Sequence, residues 1–101
     1  MDEAYVEAVL DLVERIPPGR VMSYGAIAEE VGAAYGGGGP RLVGRVLATV
    51  GGAVPWWRVV TADGRLPPGA EVRARRELAA ELTPFRGDRV DMTRAAWRPG
   101  S

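Results

Sequence analysis

The segment VPWWRVV, residues 54–60, holds the residues best suited to chemistry or recognition in this sequence. Trp56 and Trp57 are adjacent between a proline and an arginine, at the start of a run that has the composition of a buried strand. Because successive side chains of a strand point to opposite faces, we expect the two indoles to face opposite ways. Only one of them can then join a core on one side of the strand, and the other needs a separate role.

The chain of 101 residues contains neither cysteine nor histidine. It therefore has no thiolate nucleophile, no cysteine-ligated metal and no imidazole, which is the commonest general base and a common metal ligand. Ser23 and Tyr24 are conceivable nucleophiles, but neither has a histidine to activate it. We expect a protein that is not an enzyme and that uses no metal and no cofactor.

Length and composition predict one small domain over residues 1–101, with 47% apolar residues available for a modest core. No signal peptide or membrane anchor is evident, so a cytoplasmic location is expected. The net charge is zero, but residues 1–19 hold five acids and one arginine, whereas residues 20–76 hold eight arginines and four acids. This distribution predicts either a positive face for an anionic partner or a mere scatter of surface charge.

Two helices are predicted in the first third of the chain. Asp2 can cap a first helix with apolar residues at helical spacing, which Pro17-Pro18-Gly19 ends. After a short extended piece, Ser23 can cap a second helix over residues 24–31, with Gly32 stopping it.

The rest of the chain predicts a winged helix-turn-helix order. A flexible glycine-rich stretch, residues 32–39, precedes a third helix of about ten residues that opens at Pro40 and closes at Gly51-Gly52. WRVVT, a turn at Asp63-Gly64 and RL predict a small hairpin, and a fourth helix follows over roughly residues 70–82, before a short strand and turn. The expected fold is mainly α, a winged helix-turn-helix domain with a short β-hairpin wing.

The third helix has two contrasting faces. An apolar stripe is predicted to face the core and consists of Leu42, Val43, Val46, Leu47 and Val50. The opposite face carries Arg41, Gly44, Arg45 and Ala48. Glycine inside an exposed helix costs about 1 kcal/mol relative to alanine, which is reasonable where another surface must approach the backbone. Small residues flanked by arginines suit a nucleic-acid groove, although a solvated face with a tolerated glycine gives the same pattern.

Three segments in this order and spacing, VMSYGAIAEEVG, GPRLVGRVLATV and VPWWRVVTADGRL, resemble the DNA-binding domain of the O6-alkylguanine-DNA alkyltransferases. They resemble more closely the alkyltransferase-like proteins, which bind the same lesions without repairing them. The resemblance covers nearly the whole chain but not the separate N-terminal domain of the full enzymes. The enzymes have proline-cysteine-histidine-arginine where this chain has Pro55-Trp56-Trp57-Arg58, and the alkyltransferase-like proteins replace that cysteine with tryptophan, as here.

The resemblance implies that the helix-turn-helix binds the minor groove and that the damaged guanine rotates into a pocket. It places Tyr24 beside the phosphate next to the lesion and Arg41 in the gap left in the base stack. The implied DNA-binding residues are Tyr24, Arg41, Gly44, Arg45 and Ala48. The implied pocket residues are Tyr24, Pro55, Trp56 and Arg58, with Trp56 where the reactive cysteine normally stands. Arg58 and Glu81 match a supporting polar network and are expected to be structural.

Three departures from the family pattern affect these expectations. Trp57 replaces the usual histidine, so the polar contact made there is expected to be lost and Trp57 to pack in the core. Gly39 replaces the asparagine before Pro40. Some relatives carry an arginine after the wing that senses the modified oxygen, and here Arg65 or Arg73 can substitute only if the loop folds back.

The implied function is binding of O6-alkylguanine in duplex DNA by base flipping, without alkyl transfer, followed by flagging of the lesion for nucleotide-excision repair. The implied partners are double-stranded DNA containing O6-alkylguanine and nucleotide-excision repair proteins, for a monomer that is nucleoid-associated when bound to DNA. The alternative is a winged-helix regulator that reads undamaged sequence in the major groove. The small residues on the third helix count against it, because base readout favours longer polar side chains.

Overall fold

The computed structural model describes residues 2–35 and 38–100. Within these ranges the chain forms five α-helices, namely α1 (Glu3–Arg15), α2 (Tyr24–Tyr35), α3 (Pro40–Val50), α4 (Glu71–Ala80) and α5 (Met92–Ala95). Four two-residue strands accompany them: β1 (Met22–Ser23), β2 (Val59–Val60), β3 (Phe85–Arg86) and β4 (Arg89–Val90). The predicted mainly α, winged-helix class is confirmed. None of the described helices is both long and apolar enough to cross a membrane.

The helix starts follow the predicted caps. The Asp2 carboxylate accepts a hydrogen bond from the Ala4 amide at 2.9 Å, and the Ser23 hydroxyl accepts one from the Ala26 amide at 3.0 Å. Each bond satisfies a backbone donor that has no partner inside its helix. Pro40 is the first residue of α3, and Gly39 before it provides no side-chain cap.

The second helix is longer than predicted. Gly32 does not stop α2, which continues to Tyr35. An internal glycine costs only about 1 kcal/mol, and α2 recovers more by burying Ile27, Ala28 and Val31 in the core. Of the predicted flexible stretch, Gly36 and Gly37 lie outside the described residues.

The predicted hairpin around Asp63-Gly64 is reduced to a tight turn whose arms share one backbone bond, from the Thr61 amide to the Arg65 carbonyl at 3.0 Å. The turn exists, because the Gly64 amide donates to the Thr61 carbonyl at 3.0 Å and Gly64 has a φ of +86°. However, β2 pairs in parallel with β1, Met22 opposite Val59, and the carbonyl of Gly64 accepts from the Val90 amide at 2.9 Å. The antiparallel pair lies later in the chain, between β3 and β4.

Two clusters of buried side chains form the interior. One gathers residues of α1, α2 and α3 with Val59, and the other joins Val21 and Val60 to Leu78, Val90 and Ala95. The neighbouring valines of β2 thus belong to different clusters, as the alternation of side chains along a strand requires. The short parallel pair β1–β2 therefore connects both halves of the domain.

Candidate nucleic-acid interface

A cavity of about 720 Å³ opens between α3 and the segment that leads into α4. Arg41, Gly44 and Ala48 line one side, and Pro67 and Arg73 line the other. The ring of Trp56 and that of Tyr24 also line it, and no acidic residue does so among the described part of the chain. Apolar surface with two guanidinium groups suits a planar, partly anionic ligand such as a nucleotide.

The face of α3 with small residues lines this cavity, and Leu47 of the predicted core stripe also reaches it. Gly44 is half-buried, and Arg41 and Ala48 are exposed. Arg45 is exposed but does not line the cavity. The helix backbone is therefore accessible at Gly44. Its neighbours on this face are Arg41, which carries a charge, and Ala48, whose side chain is a single methyl group.

The apolar stripe of α3 is less uniform than predicted. Val43 and Val46 are fully buried in the core, whereas Leu42 and Leu47 are only partly buried. Val50 is 46% exposed, so its predicted core position is wrong. It is the last residue of the helix, and the chain turns away there through the 3₁₀ turn Gly51–Ala53.

Tyr24 begins α2 and lies beside the glycine of α3. A Cβ atom added at Gly44 would be 3.8 Å from Cε1 of the Tyr24 ring, so the two helices are close at this point. Burial raises the pKa of the Tyr24 hydroxyl above its ordinary value. A tyrosine hydroxyl is already protonated at neutral pH, and burial extends that state to higher pH, so Tyr24 remains a hydrogen-bond donor.

The paired tryptophans do not lie in a strand, which corrects the first expectation. Residues Trp56–Arg58 form a 3₁₀ turn after Pro55, closed by a hydrogen bond of 3.0 Å from the Arg58 amide to the Pro55 carbonyl. The two indole rings meet edge to face, with centroids 5.7 Å apart and planes at 82°. Trp56 lines the cavity, while Trp57 packs against the cluster of Val21, Val60, Leu78, Val90 and Ala95.

Trp57 also retains a polar contact, contrary to the expectation that replacing histidine removes it. Its Nε1 donates to Oε2 of Glu81 at 3.2 Å. Arg58 donates to both oxygens of the same carboxylate, from Nε at 3.0 Å and from Nη2 at 2.5 Å. Its Nη1 donates to the Ile16 carbonyl at 2.8 Å. These four groups form a half-buried network that ties the 3₁₀ turn to the ends of α1 and α4.

Electrostatics in this network favour the ionised carboxylate. Burial by itself raises the pKa of Glu81, but the hydrogen bonds from Arg58 and Trp57 and the charge of Arg58 outweigh it, so the pKa lies below its usual value. Arg58 and Glu81 thus make the contacts expected of a supporting polar network. The resemblance places Pro55 and Arg58 in the pocket, but neither lines the cavity. Pro55 is buried, and Arg58 is directed to Glu81.

Sequence reasoning missed part of the second wall of the cavity. Thr61, Pro67 and Pro68 line it, and the guanidinium of Arg73 lies 5.5 Å from the centre of the Trp56 ring. Arg65 does not reach the cavity, since it pairs with the exposed Asp63 at 3.4 Å. The sequence names Arg65 and Arg73 as the two candidates for a sensing arginine, and the docking of α4 brings Arg73, not Arg65, to the cavity.

The chain is similar to known proteins over nearly its whole length. Residues 4–82 match the family described as 6-O-methylguanine DNA methyltransferase, DNA binding domain. A DNA base-flipping protein of Vibrio parahaemolyticus is 29% identical over 104 residues, which cover 98% of this chain and 100% of the relative.

Solved structures give the same result at the level of the fold. S. pombe Atl1 in complex with damaged DNA containing O6-carboxymethylguanine superposes with a TM-score of 0.82 at 25% identity, over 98% of this chain and 99% of that one. S. pombe ATL in complex with DNA superposes with a TM-score of 0.77 at 30% identity, over 98% of both chains. Similarity in sequence and similarity in fold therefore both cover nearly the whole chain.

Proposed function

Because this chain belongs to the 6-O-methylguanine DNA methyltransferase DNA-binding family, as an alkyltransferase-like member, we propose that it binds O6-alkylguanine lesions in duplex DNA. The observation that carries this proposal is the cavity walled by Trp56, opening beside the small-residue face of α3. Its volume of about 720 Å³ is within the range of small-molecule sites and leaves room for a purine with a substituent.

Base flipping follows from the residues around the cavity. Removing a base from the stack costs a few kcal/mol, and three side chains offset that cost. Arg41 stacks in the vacated position, Trp56 stacks on the extruded base for roughly 1–3 kcal/mol, and Tyr24 donates to the adjacent phosphate. Gly44 and Ala48 allow the minor-groove backbone to approach α3, and Arg45 contacts phosphate from outside the cavity.

Arg73 is our candidate for the residue that senses the alkylated oxygen. It reaches the cavity from α4 and lies over Trp56, so a base that enters there meets its guanidinium. Alkylation at O6 converts the N1 position of guanine from a hydrogen-bond donor into an acceptor. We place the Arg73 guanidinium at the N1 edge of the flipped base, where it can donate to the alkylated base but meets a competing N–H donor in guanine.

We further propose that the protein marks the lesion without repairing it. The sequence has no cysteine to accept an alkyl group and no histidine to activate one. An extruded base that is tightly held and not repaired leaves the DNA duplex distorted. Such a distortion suits a protein that hands the lesion to nucleotide-excision repair, in the cytoplasm or nucleoid.

The test is a titration of the protein with matched duplexes that contain either O6-methylguanine or guanine, in several flanking sequences. We expect tighter binding to the lesion in every context, because backbone contacts carry no base information. Quenching of Trp56 fluorescence should accompany binding of the lesion and disappear in Trp56→Leu. Equal affinities for damaged and undamaged duplexes would refute the proposal, and affinities that follow the flanking sequence would favour the winged-helix regulator.

The contribution of Arg73 has its own test within the same titration. Arg73→Gln keeps a polar side chain but removes the guanidinium and its charge, and we expect the preference for the lesion to fall while binding to undamaged DNA changes little. Arg65→Gln is the matched control, since Arg65 lies outside the cavity.

A further inference from the structure

We infer that Trp57 is a positioning residue that fixes the orientation of Trp56 as the wall of the cavity. This role rests on the proposed lesion-binding function and adds to it a residue that the resemblance does not supply, since histidine is usual at this position. Trp57 itself does not line the cavity, so it acts on a ligand only through its neighbour.

Trp57 is itself held on several sides. Its Nε1 donates to Glu81 at 3.2 Å, and the Arg58 guanidinium lies 5.7 Å from the centre of its ring. Arg58 is in turn anchored to Glu81 and to the Ile16 carbonyl. The indole is partly buried and packs against the buried cluster of Val21, Val60, Leu78, Val90 and Ala95.

The two indoles are in direct contact. Trp57 and Trp56 meet at 82° with centroids 5.7 Å apart, which is the favourable edge-to-face geometry. Trp56 also borders the open cavity. The contact with Trp57 is therefore a principal restraint on Trp56 in the free protein, together with the exposed guanidinium of Arg73 at 5.5 Å.

Fixing the ring in advance makes binding tighter, because the ordering of Trp56 does not have to accompany entry of the base. Loss of the edge-to-face contact should reduce the preference for the lesion by about 2- to 10-fold, from the usual strength of aromatic pairs. Binding to undamaged DNA should change less than that, since no base then occupies the cavity.

The experiment compares Trp57→Leu with Trp57→Phe and with Trp97→Leu. Trp57→Leu removes the aromatic edge, Trp57→Phe keeps an edge but loses the bond to Glu81, and Trp97→Leu deletes a partly buried indole that packs on the other core cluster. Each variant is measured for thermal stability, for affinity to duplexes with guanine and O6-methylguanine, and for near-UV circular dichroism without DNA.

We expect all three variants to lose stability, but only those at position 57 to lose lesion preference, with Trp57→Phe between wild type and Trp57→Leu. The near-UV signal of the coupled indoles should be weakened by Trp57→Leu and not by Trp97→Leu. Unchanged preference in Trp57→Leu, or in Trp57→Phe if the leucine variant does not fold, would overturn the inference, as would an equal loss in Trp97→Leu. A wild-type protein with no lesion preference refutes the proposed function instead, and the near-UV comparison then decides the positioning role alone.

Discussion

Replacing Gly44 with alanine is expected to change folding stability and DNA binding in opposite directions. In the free protein the new Cβ would lie 3.8 Å from Cε1 and 4.0 Å from Cδ1 of Tyr24, which is ordinary van der Waals contact. Nothing else in the described structure lies within 4 Å of it outside the helix itself. Alanine should therefore remove the cost of glycine in α3, about 1 kcal/mol, and raise the melting temperature by roughly 4–8 °C.

The same methyl group should weaken DNA binding. Gly44 lines the cavity on the face of α3 that we place against the minor groove, and a methyl group there separates the two backbones. If the interface packs as tightly as a protein core, one added carbon costs about 1–3 kcal/mol. That range corresponds to a loss of affinity of roughly 5- to 150-fold.

Calorimetric melting and fluorescence titration on the same protein preparation measure both effects. Ala48→Gly is the matched control, because it lies one turn further along the same face and removes a methyl group instead of adding one. It should lower stability by up to about 1 kcal/mol without weakening DNA binding. The reasoning is refuted if Gly44→Ala lowers the melting temperature, or if it stabilises the protein and binds DNA as tightly as wild type.

Three further predictions concern the arginines of α3, the cavity wall and the carboxylate behind it. Arg41→Ala should weaken lesion binding but change the dependence of affinity on salt concentration only slightly. Arg45→Ala should mainly reduce that salt dependence, because it removes a phosphate contact, and affinities measured across a salt series will separate the two. Trp56→Cys should give almost no alkyl transfer by mass measurement, because the Trp57 indole can only donate a hydrogen bond and cannot activate the thiol. The double variant Trp56→Cys with Trp57→His should transfer more. The hydrogen bonds of Glu81 should stabilise the fold fully above the unfolded-state pKa of about 4.3, and this contribution should be lost as pH falls through the lower folded-state pKa. Urea unfolding across the acid range should show that loss in wild type and not in Glu81→Gln.

Local signals in the sequence were sufficient for most of the helices. Asp2, Ser23 and Pro40 mark helix starts through chemistry that involves only the next few residues, and all three act where predicted. The small-residue face of α3 was also predictable, since it follows from the spacing of apolar residues within one helix.

Features that depend on distant parts of the chain were not predictable in the same way. The composition of Val59–Val60 predicts a strand, but nothing local selects β1 as its parallel partner over a hairpin. Gly32 lies within a helix because tertiary packing outweighs its propensity. Arg73 reaches Trp56 because α4 is docked by its buried residues and by the Glu81 network, which joins positions more than twenty residues apart.

The bonds that close the second core cluster have a consequence for how the chain folds. Val21 donates to the Ala95 carbonyl at 3.0 Å and accepts from the Trp97 amide at 2.8 Å, and Arg20 donates to the Ala95 and Ala96 carbonyls across 75 and 76 positions. During synthesis, the segment around Val21 leaves the ribosome long before its partners do. The first cluster, which needs nothing beyond Val59 among its buried residues, can assemble while the rest is still being made, so α1–α3 can form early. The cavity wall that carries Arg73, and the anchored Trp57 behind Trp56, become rigid only when the segment from Val90 to Trp97 has joined the second cluster.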